Sequence, residues 1–310
     1  MKINVFTEIE NKANVDDWQK RSVLSNLLSK MALADIEAEV ASRLKNKTFL
    51  ENLLHFMYYI NRGAGNCLSN ISEALVDKVY SATVKKNYEN NVEYFLNFQN
   101  INSTILEAIA DQTAEAVAGN SGLRWRVPSG LIGHKNFTKA LEDKLVASPK
   151  RFSFFYETLA EHSNDEKNIV KMAKHISNTW AMRKVVKKKC LSHASLEKLA
   201  KVAPEAVAMH SRKLTPEFID TLAFSKQRDT VASAMMNVNI RPETMRKVLE
   251  EADEDKDFCI IRNVAYNRKA TIENLALAFS KAGTGFYNLK DFVKHAGLMT
   301  YIQEKLKDSK

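Results

Sequence analysis

Between Ser192 and Ala282 a polar start signal followed by apolar residues three positions apart recurs four times. The openings are Ser192 with Leu196 and Leu199 behind it, Thr215 with Ile219 and Leu222, Arg241 with Met245 and Val248, and Thr271 with Leu275 and Ala278. An i, i+3 apolar pair lies on one face of a helix, so each instance predicts a short helix with one buried side. Pro216 and Pro242 fall at first helical positions, where a missing N–H costs nothing, and Ser192, Thr215 and Thr271 supply a capping oxygen. A second helix in each unit is marked by Ala206, Val207 and Met209, then by Val231, Ala232, Met235 and Met236, then by Ile260, Ile261, Val264 and Ala265. The openings are 23, 26 and 30 residues apart, room for two short helices and two turns. Such a period is the signature of a helical-repeat solenoid.

Upstream the pattern is also helical. Asp16 and Asp17 predict the cap of a helix carrying Leu24, Leu27, Leu28, Met31, Val40 and Leu44, and Thr48 the cap of a second with Phe49, Leu53, Phe56, Met57 and Ile60. Arg62 to Cys67 closes it, and Leu68, Ile71, Leu75 and Val79 outline a third. The aromatic stretch Val92–Phe98 has the length of a strand, but its neighbours favour a helix. A longer helix is expected from Thr104, with Glu107 completing a capping box and Gly119 ending it. Ser148-Pro149 opens another, and Ser163 with Glu166 a further one whose stripe is Ile169, Met172, Ile176 and Trp180, placing Trp180 in the core.

Gly119 to Asn136 interrupts this run with four of the nine glycines and Pro128, and reads as a long irregular segment. The expected organisation is therefore an all-α chain: a helical N-terminal region over 1–120, a Gly-rich basic loop and boundary over 121–136, and a repeat region with C-terminal capping helices over 137–310. No stretch approaches the ~18 apolar residues of a membrane span. The N-terminus has no signal-peptide core, so a cytoplasmic chain without membrane partners is expected. Three scattered cysteines agree with a reducing compartment.

Charge changes the picture more than composition does. Residues 1–120 hold twelve Lys/Arg against fifteen Asp/Glu, whereas the remaining 190 hold 34 against 22. A basic excess confined to the later part favours a polyanion, either nucleic acid or an acidic protein surface. Two groups of residues are candidates for it. Arg124, Trp125, Arg126 and Lys135 lie in the glycine-rich segment, where guanidinium groups can meet phosphates and an indole can stack on a base. The others recur at one phase of the repeat, in the turn before each unit: Lys187, Lys188 and Lys189, then Arg212 and Lys213, then Arg241 after an uncharged Asn237-Val238-Asn239, then Arg268 and Lys269. Stacked in register, they would form a positive edge. The acidic run Glu250 to Asp257 reads as a solvated loop, since it lacks the residue order of a calcium site.

Val264-Ala265-Tyr266-Asn267 leading to Thr271, together with Thr215-Pro216 followed by Ile219, Leu222 and Ala223, resembles the leucine-rich repeat variant family, a HEAT-like superhelix of short paired helices. The resemblance covers the last third of the chain and implies architecture alone; the four-cysteine iron–sulfur module of that family has no counterpart here. No cofactor is expected. The seven histidines are dispersed, Cys190-Leu191-Ser192-His193 is a lone Cys-x-x-His, and the common nucleophile and dinucleotide motifs are missing. The expectation is thus a non-enzymatic repeat protein that binds nucleic acid, with a protein-binding scaffold as the alternative and a HEAT-like DNA glycosylase as a third reading.

Overall fold

Helix follows helix through the computed structural model, which describes residues 4–60, 67–84, 88–117, 122–210, 213–253, 256–282, 292–295 and 297–308. Among the described residues there is no strand, and no helix is long and apolar enough to cross a membrane. The chain divides into two compact units, Met1–His162 and Ser163–Lys310.

The first unit runs through α1 (Val5–Glu10), α2 (Lys12–Asp16), α3 (Trp18–Leu28), α4 (Leu33–Ser42), α5 (Lys47–Ile60), α6 (Glu73–Ala82), α7 (Tyr88–Phe95), α8 (Ser103–Ala116), α9 (Leu123–Ile132), α10 (Lys139–Ala147), α11 (Pro149–Phe152) and α12 (Tyr156–His162). Helix α5 packs on α7, α7 on α9 and α9 on α12, around a core of large rings that includes Phe49, Phe56, Phe95, Phe98, Phe155 and Tyr156. Asparagines begin two of these helices two residues earlier than expected. The side chain of Asn46, not Thr48, accepts from the Phe49 N–H at 3.0 Å, and that of Asn102 from Ile105 N–H at 2.8 Å. Val92–Phe95 is helical, as its neighbours implied.

The irregular segment expected over 119–136 is corrected by α9. Residues 118–121 lie outside the described residues, but Leu123–Ile132 is helical, with Leu123, Val127, Pro128, Leu131 and Ile132 buried. Gly130 marks close packing instead of a loop, because a Cβ there would stand 3.0 Å from Leu96 Cδ1 and 3.3 Å from its Cβ. The division between units also falls later, after His162.

In the second unit the order is α13 (Glu166–Ala173), α14 (Thr179–Val185), α15 (His193–Ala200), α16 (Pro204–His210), α17 (Pro216–Ala223), α18 (Arg228–Met235), α19 (Pro242–Glu251), α20 (Phe258–Tyr266), α21 (Ile272–Lys281) and α22 (Leu298–Asp308). Ser192, Thr215 and Thr271 each accept a backbone N–H from the third residue of their helix. Helix α14 packs on α16, α16 on α18 and α18 on α20; α17 packs on α19 and α19 on α21. The buried residues here are mostly aliphatic and small, among them Leu199, Val207, Ile219, Ala234, Met245 and Val264. Short side chains let these short helices lie close. The acidic run is not wholly solvated, since Asp257 is buried and accepts from Arg228 Nε at 2.6 Å.

Consecutive turns are joined by a repeated device. Asn267, 2% exposed, donates through Nδ2 to the carbonyls of Met235 at 2.7 Å and Asn237 at 2.9 Å, while its Oδ1 accepts from Lys269 N–H at 2.9 Å. Asn237 does the same one turn earlier, reaching Ala208 O at 2.6 Å and accepting from Asn239 N–H at 2.9 Å. His134 plays this part in the first unit: Nδ1 accepts from Asn136 N–H at 3.1 Å, so the proton sits on Nε2 and is donated to Phe98 O at 2.8 Å. A second set of donors reaches the residue before the preceding cap: Asn100 to Ile71 O at 2.9 Å, Asn136 to Ile101 O at 2.8 Å, Lys213 to Leu191 O at 2.8 Å and Asn239 to Leu214 O at 2.8 Å. Carbonyls in the last turn of a helix, such as those of Ala208 and Met235, and in the connecting turn after it have no helical partner, and these side chains satisfy them.

Candidate nucleic-acid interface

The basic excess resolves along the unit boundary. Residues 1–162 hold nineteen Lys/Arg and nineteen Asp/Glu, while residues 163–310 hold 27 and 18, so the whole formal charge of +9 belongs to the second unit. Its densest part is the thirty residues between Glu166 and Glu197, which contain eight Lys/Arg and no carboxylate side chain.

Helix α14 lies within that stretch. Asn178 caps it, accepting from Trp180 N–H at 2.9 Å and Ala181 N–H at 3.4 Å. Ala181, Met182 and Val185 turn inward and are buried. The spacing then sends Trp180, Arg183 and Lys184, at i, i+3 and i+4, to the opposite face, and Lys187 follows, exposed, in the turn after the helix. Trp180 is 69% exposed, which corrects its expected place in the core. The expectation ran one apolar stripe from Ile169 to Trp180, but α13 ends at Ala173 and the Asn178 cap starts a new helix, which resets the phase. The Arg183 guanidinium stands 5.5 Å from the centre of the Trp180 ring and bonds Glu205 at 2.7 Å.

Beyond the end of α14 the surface sinks into a groove of about 620 Å³ lined by Lys187, Lys188, Lys189, His210, Lys213 and Asn237, among others. The groove sits where α14, α16 and α18 end, at Val185, His210 and Met235. Part of this positive charge serves the fold. Helix C-termini favour cations, and Lys213 Nζ donates to the carbonyls of Lys189 at 2.5 Å and Leu191 at 2.8 Å. Lysine 213 therefore occupies the place that Asn239 takes in the next turn. Lys187 and Lys189 have no such explanation: both are exposed and neither makes an ion pair among the described residues. His210 is held below the ordinary imidazole range by burial first, then by Lys187 and Arg183, against an opposing pull from Glu205. Its Nε2 is buried without a hydrogen-bond partner among the described residues.

The other candidates fall elsewhere. Arg268 and Lys269 are exposed on the turn that follows Asn267, two turns on from Lys213. Arg241 is neutralised, paired with Glu217 and, at 3.4 Å, with Asp220. Arg212 lies outside the described residues. Arg124, Trp125 and Arg126 are exposed in the first turn of α9, in the first unit, with Arg126 bonded to Glu93 at 3.1 Å. Lys135 reaches Asn100 Oδ1 at 3.1 Å. The structure thus gathers Lys187, Lys188, Lys189 and Lys213 into one groove with His210, and sets Trp180 and Arg183 outside it on α14; none of these last three stands among the binding candidates of the sequence.

Chemically, the face offers point charges, one stacking surface and one imidazole. Among the described residues no group of three or more His, Cys, Asp or Glu is placed to hold a metal, and His193 bonds Glu197 at 3.1 Å instead of joining Cys190. A second groove, of about 440 Å³ at the opposite ends of α14, α16 and α18, includes Arg183 already paired with Glu205 and Arg228 already paired with Asp257. Compared with known proteins, the chain matches no family model, no curated protein and no solved structure.

Proposed function

We propose that residues 163–310 form a HEAT-like stack of helix pairs that binds nucleic acid, single strands in preference to duplex, and catalyses no reaction. The observation that carries this reading is the outer face of α14, where an exposed Trp180 stands with Lys184 and a Glu205-paired Arg183, and which leads through the turn at Lys187 to the lysine groove. Single-strand binders combine a charged track for the backbone with aromatic rings on which bases stack. Lys187 lies in the turn two residues past the end of α14, between the Trp180 ring and the groove lysines in sequence. The pairwise packing of α14, α16, α18 and α20, and of α17, α19 and α21, supports the repeat architecture.

The test is fluorescence anisotropy with a labelled single strand and a labelled duplex at two salt concentrations. If about four lysines meet phosphates, log K falls with log salt at a slope near −3, about a 50-fold loss between 50 and 200 mM. The double variant Lys187→Glu with Lys189→Glu is expected to remove binding while leaving the melting temperature unchanged. Absence of binding at low salt would sink the nucleic-acid reading and leave an acidic protein surface as the partner to seek.

A further inference from the structure

We infer that the groove at the ends of α14, α16 and α18 receives a terminal phosphate, a phosphomonoester or pyrophosphate group, in preference to an internal diester of a strand. This deepens the proposed function and rests on its claim that the face binds polyanions. Three features set the groove apart from an open track.

The first is convergence. A phosphodiester chain carries one charge per nucleotide and calls for cations in a row. Here Lys187, Lys188 and Lys189 from one turn and Lys213 from the next surround a single concavity of about 620 Å³. Charge of that density suits a group with two or more negative charges on adjacent oxygens. The volume lies within the range of small-ligand sites, so a nucleotide end fits.

The second is that one of these ammonium groups is positioned. Lys213 Nζ is held by the carbonyls of Lys189 and Leu191, which fixes its place on the groove wall with a third N–H remaining. A preorganised donor loses little freedom when a ligand arrives.

The third is His210. Its Nε2 is buried, faces no protein partner among the described residues and belongs to a side chain that lines the groove. A buried polar atom left unpaired is costly, and a turn of the ring toward the groove would let Nε2–H donate to a phosphate oxygen. Lysine ammonium groups bind phosphate as point charges without reading a base. The site therefore recognises the end of a strand, or the phosphates of a free nucleotide, irrespective of sequence.

The experiment compares two single strands of one sequence, one bearing a 5′-phosphate and one a 5′-hydroxyl, with inorganic pyrophosphate and a nucleoside triphosphate as competitors and as direct titrants. Binding is expected to be at least tenfold tighter for the phosphorylated strand, and pyrophosphate is expected to erase the difference. His210→Ala should remove the discrimination, so that the two strands bind the variant equally. Lys189→Gln, at an exposed position, gives the same loss of discrimination should the histidine variant prove unstable. Equal affinity for both strands, with no competition by pyrophosphate, overturns the inference and leaves nucleic-acid binding intact. Failure of both strands to bind, with pyrophosphate or the triphosphate still bound in a His210-dependent way, removes the nucleic-acid reading and supports the phosphate site on its own.

Discussion

Replacing Asn267 by alanine tests what ties one turn of the second unit to the next. The side chain is 2% exposed and makes three hydrogen bonds, to Met235 O, Asn237 O and Lys269 N–H, at 2.7 to 2.9 Å. Each such bond contributes about 1 kcal/mol net, and each buried backbone group left unpaired costs about 1–3 kcal/mol. The loss is therefore expected at about 3 kcal/mol, somewhat more if the small cavity does not close. With a urea dependence of about 2 kcal/mol per molar, the unfolding midpoint should fall by about 1.5 M. The assay is urea unfolding followed by circular dichroism. Asn267→Asp provides a second point: it keeps the acceptor for Lys269 N–H, replaces two donors by a charge facing two carbonyls, and should be worse than alanine. A midpoint shift below about 0.3 M for either variant would refute the idea that these amides hold successive turns together.

Three further outcomes follow from the structure. Glu166 accepts from Ser192 N–H at 2.6 Å, and its bonds to the Ser192 and Ser195 side chains and to the Ser192 backbone pull its pKa down to about 2 from 4.5. A depressed folded-state value means that its contribution is present above pH 4.5 and lost as pH falls toward 2; urea midpoints of wild type and Glu166→Gln should differ at pH 6 and converge near pH 2. Trp180→Ala should leave the melting temperature within a degree or so, because the ring is mostly solvent-exposed, yet weaken single-strand binding roughly tenfold by loss of one stacked base, measured by anisotropy. Gly130→Val should destabilise by about 1–3 kcal/mol in a thermal melt, since its Cβ would already stand 3.0 Å from Leu96.

Much of the helical content was legible because caps and apolar spacing are local. Ser192, Thr215, Arg241-Pro242 and Thr271 each open a helix where the sequence places it. What misled was punctuation. Glycine and proline in 122–133 look like a loop in isolation, yet Gly130 is there to admit Leu96, a neighbour distant in sequence. Trp180 was assigned to the core because Ile176 and Met172 precede it at helical spacing; the asparagine at 178 is the local signal that a new helix begins. The lysine turns were visible as a recurrence. That Lys213 is tied to two carbonyls, that Arg241 is neutralised and that His210 joins the groove depend on which turns meet, and no single-turn pattern contains that information.

The bonds between turns have a consequence for how such a chain can change. Asn237, Asn267 and His134 address main-chain carbonyls of the preceding turn and an N–H of their own. A main-chain carbonyl is the same whatever residue bears it. These bonds therefore place no demand on which side chain the carbonyl-bearing residue carries; they need only an amide or an imidazole at the right place in the turn. His134 in the first unit and Asn267 in the second meet the same need, so that an imidazole serves in one turn where an amide serves in another.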